Sequence, residues 1–243
     1  MKIPADSRLE ADQRLARAPR LIVRELGCLP YREALERMRH FTAQRDATTA
    51  DEIWLLEHPP VYTLGLSGRD QHLREAEGTG IAVERTERGG QATYHGPGQL
   101  VAYLLLDLRR LGLGVKELVF RIETALIQTL GNYGIDGRRL PGAPGVYVVW
   151  PGGEGRFAGW AKVAALGVRI SRGCSLHGLA LNVAMDLGPY AAIDACGYPG
   201  LRSIDMANLI GAVEPAGVAA TLAERLCAHF AVEPDFAPSP ETG

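Results

Sequence analysis

The chain has 243 residues, 26 Lys and Arg against 28 Asp and Glu, a net charge of -2, 47% hydrophobic and 22% charged side chains. That balance excludes a disordered chain and gives no general attraction to nucleic acid or to an anionic membrane; no apolar run reaches the roughly 20 residues of a spanning helix. The length supports one large domain whose core needs no covalent staples.

Residues 1–19 lack the apolar core of a signal peptide and read as a flexible polar extension. The globular domain is expected over 20–232, with 233–243, which ends in PDFAPSPETG, as a disordered tail. Arg20 to Leu26 reads as a strand, and Pro30 opens a helix in which Leu35, Met38 and Phe41 recur at helical spacing. DEIWLLEHPPVYTLG gives a strand ending at His58, a corner at Pro59 and Pro60 that forbids continuous central pairing, and a short strand ending at Gly65. Ile81 to Thr86 is a further strand, and QLVAYLLLDL, apolar on both faces, reads as a central strand covered on both sides. Val115 to Tyr133 is a helix with its apolar residues on one stripe and Gly134 placed to end it. Gly145 to Trp150, Lys162 to Ile170 and Leu176 to Val183 are three successive strands, with PGGEGRFAG (151–159) as a flexible insertion. Pro215 to Phe230 is the last helix, with proline suited to its first turn. Strands outnumber helices and many are joined by short turns. The fold class expected is α+β (mixed α/β), a single domain with a mixed, largely antiparallel sheet packed by helices.

Three stretches hold residues suited to chemistry. RGGQATYHGPGQ, Arg88 to Gln99, is too polar and too broken for core, so it is expected to form a shaped surface whose backbone N–H groups cradle a ligand. It has neither the spacing of a dinucleotide fingerprint nor the Lys-Ser/Thr of a phosphate loop. In KVAALGVRI, a regular strand places Lys162 on one face with Ala164, Leu166, Val168 and Ile170. Desolvation there is expected to pull the lysine down toward neutrality and make it a usable base, unless it snorkels from the strand end to water. Four cysteines, Cys28, Cys174, Cys196 and Cys227, are scattered without metal-binding spacing, as expected of reduced thiols in a cytoplasmic protein. Cys174 and His177 are three apart on a strand and point to opposite faces unless a bulge intervenes. Cys196, beside Gly197, Pro199 and Gly200, sits where a turn exposes a thiol, although a lone cysteine is ordinarily a small buried hydrophobe.

Taken together, DEIWLLEHPPVYTLG, RGGQATYHGPGQLVAYLLLDLRR, APGVYV, KVAALGVRI, GCSLHGLALNV and the ACGY segment resemble the lipoyl(octanoyl) transferase family over about Leu26 to Leu209. The combination in that order is far more specific than any one piece. The resemblance implies a fold like the catalytic domain of biotin and lipoate protein ligases. It also implies octanoyl transfer from octanoyl-acyl carrier protein to a lysine of lipoyl domains, in 2-oxoacid dehydrogenase subunits and the glycine cleavage H protein. In that family's pattern Cys196 is the acyl-carrying cysteine and Lys162 the lysine that assists it, with no metal or cofactor. The substrate-lining segments match Arg88, Gly89, Gly90, Gln91, Ala92, Thr93, Tyr94 and His95, then Ala165, Leu166 and Gly167, then Gly178, Leu179 and Ala180. The departures are Asp194-Ala195 where the family has Asn-Pro, expected to loosen the nucleophile loop, and a longer 151–159 insertion.

His95 and His177 are assigned to binding or scaffolding, and Leu179, Leu181 and Val183 to an acyl tunnel or to core. Oxyanion donors are expected among backbone N–H groups near Gly178 or Cys196. Arg85, Arg88, Arg109 and Arg110 are candidates for a basic patch facing acidic protein substrates. The rival readings are an ATP-dependent lipoate or biotin protein ligase and a carrier-protein-binding module without catalysis.

Overall fold

Alternation of apolar residues builds two sheets, both mixed in direction. The computed structural model describes residues 21–230 and 234–237. Strands β1 (Leu21–Cys28), β2 (Asp51–Glu57), β6 (Gln99–Leu105), β10 (Cys174–Asn182), β9 (Trp160–Ser171), β8 (Ala143–Val149) and β7 (Arg138–Leu140) lie side by side in that order. Pairing is parallel between β1 and β2 and antiparallel from β2 through to β7. A second sheet, which the sequence reading did not foresee, has β3 (Val61–Leu64) between β4 (Ala82–Arg85) and β5 (Ala92–His95). The Pro59-Pro60 corner is where the chain leaves one sheet for the other, since neither proline can donate to a ladder.

Helices cover both faces of the large sheet. α1 (Tyr31–Gln44) buries Tyr31, Ala34, Leu35 and Met38 against Trp54, Val101, Tyr103 and Leu105. On the opposite face α2 (Val115–Asn132) and α4 (Pro215–His229) bury Leu118, Ile122, Leu126, Leu130, Leu222 and Leu226 over Ile53, Ala102, Leu104 and Val146. β6 is buried at every residue, which accounts for its apolar run on both faces. Two short elements, β11 (Arg202–Ser203) and α3 (Met206–Ile210), carry the chain back between them, and β11 pairs parallel with the start of β9. No described helix is long and apolar enough to cross a membrane.

Two expectations are corrected here. Pro234–Ala237, placed by composition in a disordered tail, form β12, which pairs parallel with Leu21–Arg24 at the sheet edge; edge pairing needs only backbone groups. The 151–159 segment is a packed turn, because its Phe157 is buried and stacks on Tyr147 at 5.8 Å. The extension 1–19 lies outside the described residues.

Gly98 ties the glycine-rich run to this frame. Its N–H donates to Glu57 Oε2 (3.0 Å), and its carbonyl accepts from Val183 and Ala184. At φ +82° a Cβ would stand 1.9 Å from the Ala184 carbonyl oxygen. Gly98→Ala is therefore expected to destabilise the fold by about 3 kcal/mol or more, the sum of left-handed strain and backbone displacement. Denaturant unfolding measures it, and a loss under about 0.5 kcal/mol, the range of an ordinary surface change, would contradict the packing described.

Candidate active site

Lys162 and Cys196, 34 residues apart in the chain, meet at 3.0 Å between Nζ and Sγ. The lysine is 5% exposed, and its ammonium also donates to the Pro144 carbonyl (3.0 Å) and lies 5.0 Å from the centre of the Tyr147 ring. Gly145 makes room for it: a Cβ there would fall 3.0 Å from Lys162 Cε. The Gly145 N–H is held from beneath by Glu123 of α2.

The regular alternation expected for Lys162 is broken. Between Lys162, opposite Tyr147, and Ala164, opposite Val146, the register shifts by one. Val163 and Ala164 consequently both belong to the core, while Lys162 turns toward the cavity that Ala165 and Gly167 also line. The direction of the lysine's titration is also the reverse of that expected. Burial lowers it, but the facing Cys196 sulfur and Tyr147 raise it more, so the net shift is upward. Facing this sulfur, the lysine's charged form is favoured.

Cys196 stands in the left-handed region at φ +56°, which costs a side-chain-bearing residue about 1–2 kcal/mol. The loop tolerates this because it is tied at several points. Asp194 N–H donates to the His72 carbonyl, Cys196 N–H to Ala92, and Gly197 N–H back to Asp194, each at 2.8 Å. Ala195 is buried, and Phe157 from the 151–159 turn lies 4.9 Å from the Tyr198 ring. Asp194-Ala195 thus sits in an anchored loop. The anchoring occupies the amides of Cys196, Gly197 and Tyr198, the last bonded to the Ala195 carbonyl, so they are not free to form an oxyanion hole.

A cavity opens beside the pair, between the small sheet and the α1 face of the large one. Of the expected substrate-lining residues, Arg88, Gly90, Gln91, Ala92, Thr93, His95, Ala165, Leu166, Gly167, Gly178, Leu179 and Ala180 line it. Gly89 instead packs on β9, its N–H donating to Val168, and Tyr94 turns toward Tyr62 on the far side of β5. Leu181 and Val183 are core. Sequence reading did not anticipate Tyr31, Val101 and Tyr103 in the lining, and His177, assigned to binding or scaffolding, lines it as well. Only Tyr103 and Val101 were traceable in principle, as residues of a strand buried on both faces.

The glycine-rich run is not the surface it was expected to be. Ala92–His95 is buried β5, and Arg88 is 8% exposed, its guanidinium donating to Thr63 Oγ1, the Thr63 and Gln91 carbonyls, and its neighbour's carbonyl at Gly89. Arg88 therefore drops out of the basic patch and acts as the internal brace of the loop. Arg85 and Arg110 are engaged by Asp70 and Asp51, and Arg109 lies 4.0 Å from Asp107. Cys174 is buried beside Arg109 and Arg172 in a different cavity from that of His177, so the two form no dyad.

Behind the glycine run, His58, His95 and His177 cluster with Tyr31 and Tyr103. His58 donates from Nδ1 to the Leu29 carbonyl and accepts from the Tyr103 hydroxyl; His95 bonds Gln99 through Nδ1 at 2.7 Å. Burial pushes His58 and His177 down to about 4 and His95 well below its ordinary 6.5. All three stay neutral when folded but charge at about 6.5 when unfolded, so the unfolded state binds more protons in acid. Stability is full above pH 6.5 and is expected to fall toward pH 4, by up to about 1.4 kcal/mol per pH unit for each histidine. Melting temperature against pH tests this; a flat profile across that window would refute it.

Comparisons with known proteins bear on the family and the fold. The model of the lipoyl protein ligase A/B catalytic domain matches residues 30–230. An octanoyltransferase of Paraburkholderia phytofirmans is 53% identical over 223 residues, covering 92% of each chain. One of Burkholderia pseudomallei is 53% identical over 208 residues, 86% of this chain and 90% of its own. Among solved structures, a bipartite lipoate protein ligase of Thermoplasma acidophilum superposes with TM-score 0.69 at 16% identity, covering 91% of this chain and 87% of that one. A biotin protein ligase of Aquifex aeolicus gives TM-score 0.53 at 12% identity, covering 86% and 70%. These structural likenesses bear on the fold.

Proposed function

The chain belongs to the lipoyl protein ligase A/B catalytic family and is an octanoyltransferase of lipoate assembly; on that premise we propose that it works through an acyl-thioester on Cys196. The observation that carries this reading is the 3.0 Å contact between Lys162 Nζ and Cys196 Sγ at the mouth of an apolar cavity.

A free cysteine titrates near 8.5, so at neutral pH it needs help to ionise. Lys162 takes the thiol proton as the sulfur becomes the nucleophile, and the facing sulfur and Tyr147 favour the lysine's charged form. The thiolate attacks the thioester carbonyl of octanoyl-acyl carrier protein. The tetrahedral oxyanion forms beside the ammonium, a cationic donor within reach of the sulfur, since the loop's own amides are occupied. Collapse expels the carrier thiolate, which receives the proton from Lys162. The octanoyl group now rests on Cys196, and the lysine is neutral.

Acylation removes the sulfur's share of what raises Lys162 and leaves Tyr147 alone against the burial that lowers it, which favours the neutral amine. The neutral amine then takes a proton from the incoming lysine of a lipoyl domain as that nitrogen attacks the acyl-enzyme. The Cys196 thiolate leaves, and the ion pair is restored. An amide replaces a thioester, so the second step is effectively irreversible. We place the lysine acceptor on lipoyl domains of 2-oxoacid dehydrogenase subunits and the glycine cleavage H protein, and the enzyme in the cytoplasm, where its four free thiols stay reduced.

The test is incubation with octanoyl-acyl carrier protein in the absence of ATP, followed by intact mass. A single octanoyl adduct released by hydroxylamine is expected. A wild-type protein that stays unmodified, or that is modified only when ATP and free octanoate are supplied, would reject the reading.

A further inference from the structure

His177 is the one member of the histidine and tyrosine cluster whose polar atoms find no protein partner: both ring nitrogens are buried and unbonded, on a residue 1% exposed. Its placement is also strained. Along β10, Leu176 and Ala180 face the α1 side of the sheet, and Leu179 and Leu181 face the other. Strict alternation would send His177 with the second pair. Its φ of +61° breaks the alternation, and the ring instead stands edge-on to Tyr103, at 5.9 Å and 87°, inside the cavity that Cys196 also lines. A backbone cost and an unsatisfied imidazole both point to a role in what the cavity holds.

The position along the cavity says which role. His177 pairs with Val168, about six residues along β9 from Lys162, one of them in the bulge. At about 3.3 Å per residue this puts the two backbone positions about 15–20 Å apart. An extended chain advances about 1.2 Å per bond, by the dimensions of the polypeptide itself, so a thioester with eight carbons reaches about 10 Å. The long Lys162 side chain and the His177 ring extend from those positions into what remains.

We propose that His177 is the end stop of the acyl channel and the residue that sets its preference for about eight carbons, an inference that rests on the octanoyl-transfer reading. A longer chain must pass over the imidazole. There it meets bulk held on a strained backbone, beside two ring nitrogens to which a methylene offers no hydrogen bond. The site therefore rejects extra carbons by shape and by the poor match of an apolar tail to an unsatisfied polar ring. The neutral state of the ring, imposed by its burial, keeps the stop compatible with an apolar tail.

The test is a chain-length series of acyl-acyl carrier proteins with 6, 8, 10 and 12 carbons, read as adduct formation rate on wild type, His177→Gly and His177→Asn. Glycine and asparagine both tolerate the left-handed backbone, so either variant can retain the fold, and circular dichroism checks that each has. Wild type is expected to fall steeply beyond eight carbons. In the variants the rate with ten carbons relative to eight is expected to rise about ten-fold or more, the discrimination ordinarily carried by one or two methylenes. A wild type that accepts eight to twelve carbons equally overturns the inference, as does a folded variant that keeps the wild-type ratio. Failure of wild type to accept any of the four acyl groups would instead overturn the transferase reading.

Discussion

Cys196→Ala is expected to abolish both the octanoyl adduct and amide formation, a loss on the order of 10⁴–10⁶-fold, as for other enzymes that lose their nucleophile. The other cavity thiol offers no substitute, because Cys174 lies among Arg109 and Arg172 outside the channel. Cys174→Ala should therefore keep its adduct. An adduct that survives Cys196→Ala and disappears in Cys174→Ala would move the nucleophile and end the mechanism proposed. The backbone adds a second readout. Alanine keeps the left-handed strain of φ +56°, whereas glycine relieves it. Cys196→Gly should be more stable than Cys196→Ala by about 1 kcal/mol, measured by denaturant unfolding. That difference would show that the strained position is retained for its thiol and not for packing.

Lys162→Ala is expected to slow both half-reactions, each by about 10²–10⁴-fold, the usual weight of a positioned acid–base group. The two losses have different causes and separate by pH. Without the ammonium, the thiol must ionise without a charged partner, so acylation should recover as pH rises. Aminolysis should recover less, because it has lost the group that accepts the amine proton. Lys162→Arg sharpens the distinction, since a guanidinium keeps positive charge beside the sulfur but does not release a proton in this range. It should retain part of the first half-reaction and very little of the second. Single-turnover rates on carrier-bound and acyl-enzyme forms measure this, and equal rates for wild type and Lys162→Ala in both halves would remove the lysine from the chemistry.

Local pattern carried the secondary structure well. The strand from Leu21, the helix from Tyr31, the doubly covered strand from Gln99 and the helix ended by Gly134 follow from periodicity and from proline and glycine positions within a few residues. The same local rules misread what depends on distant packing. Phe157 looked like part of a loose insertion because its partners, Tyr147 and Tyr198, come from separate parts of the chain. Ala92 to His95 looked too polar for the interior, yet His95 is buried because Thr63 and Gln99 supply hydrogen bonds from other strands. Polar composition cannot distinguish a solvated turn from a buried network whose partners lie elsewhere in sequence.

The residues of the dyad could be named from the order of motifs along the chain, because the residue types and their sequence are local information. Their meeting could not. It depends on one extra residue in β9, which reverses the face Lys162 presents, and on a loop that holds Cys196 at positive φ. The charge of the lysine is likewise a property of the assembled site. Burial alone, the only effect visible in the sequence, lowers it, and the sulfur 3.0 Å away together with Tyr147 outweighs burial. Periodicity assigned the elements because hydrophobic burial repeats with the backbone. Tertiary structure decided the chemistry, because bulge, strain and electrostatic partner act between residues that the chain brings together only on folding.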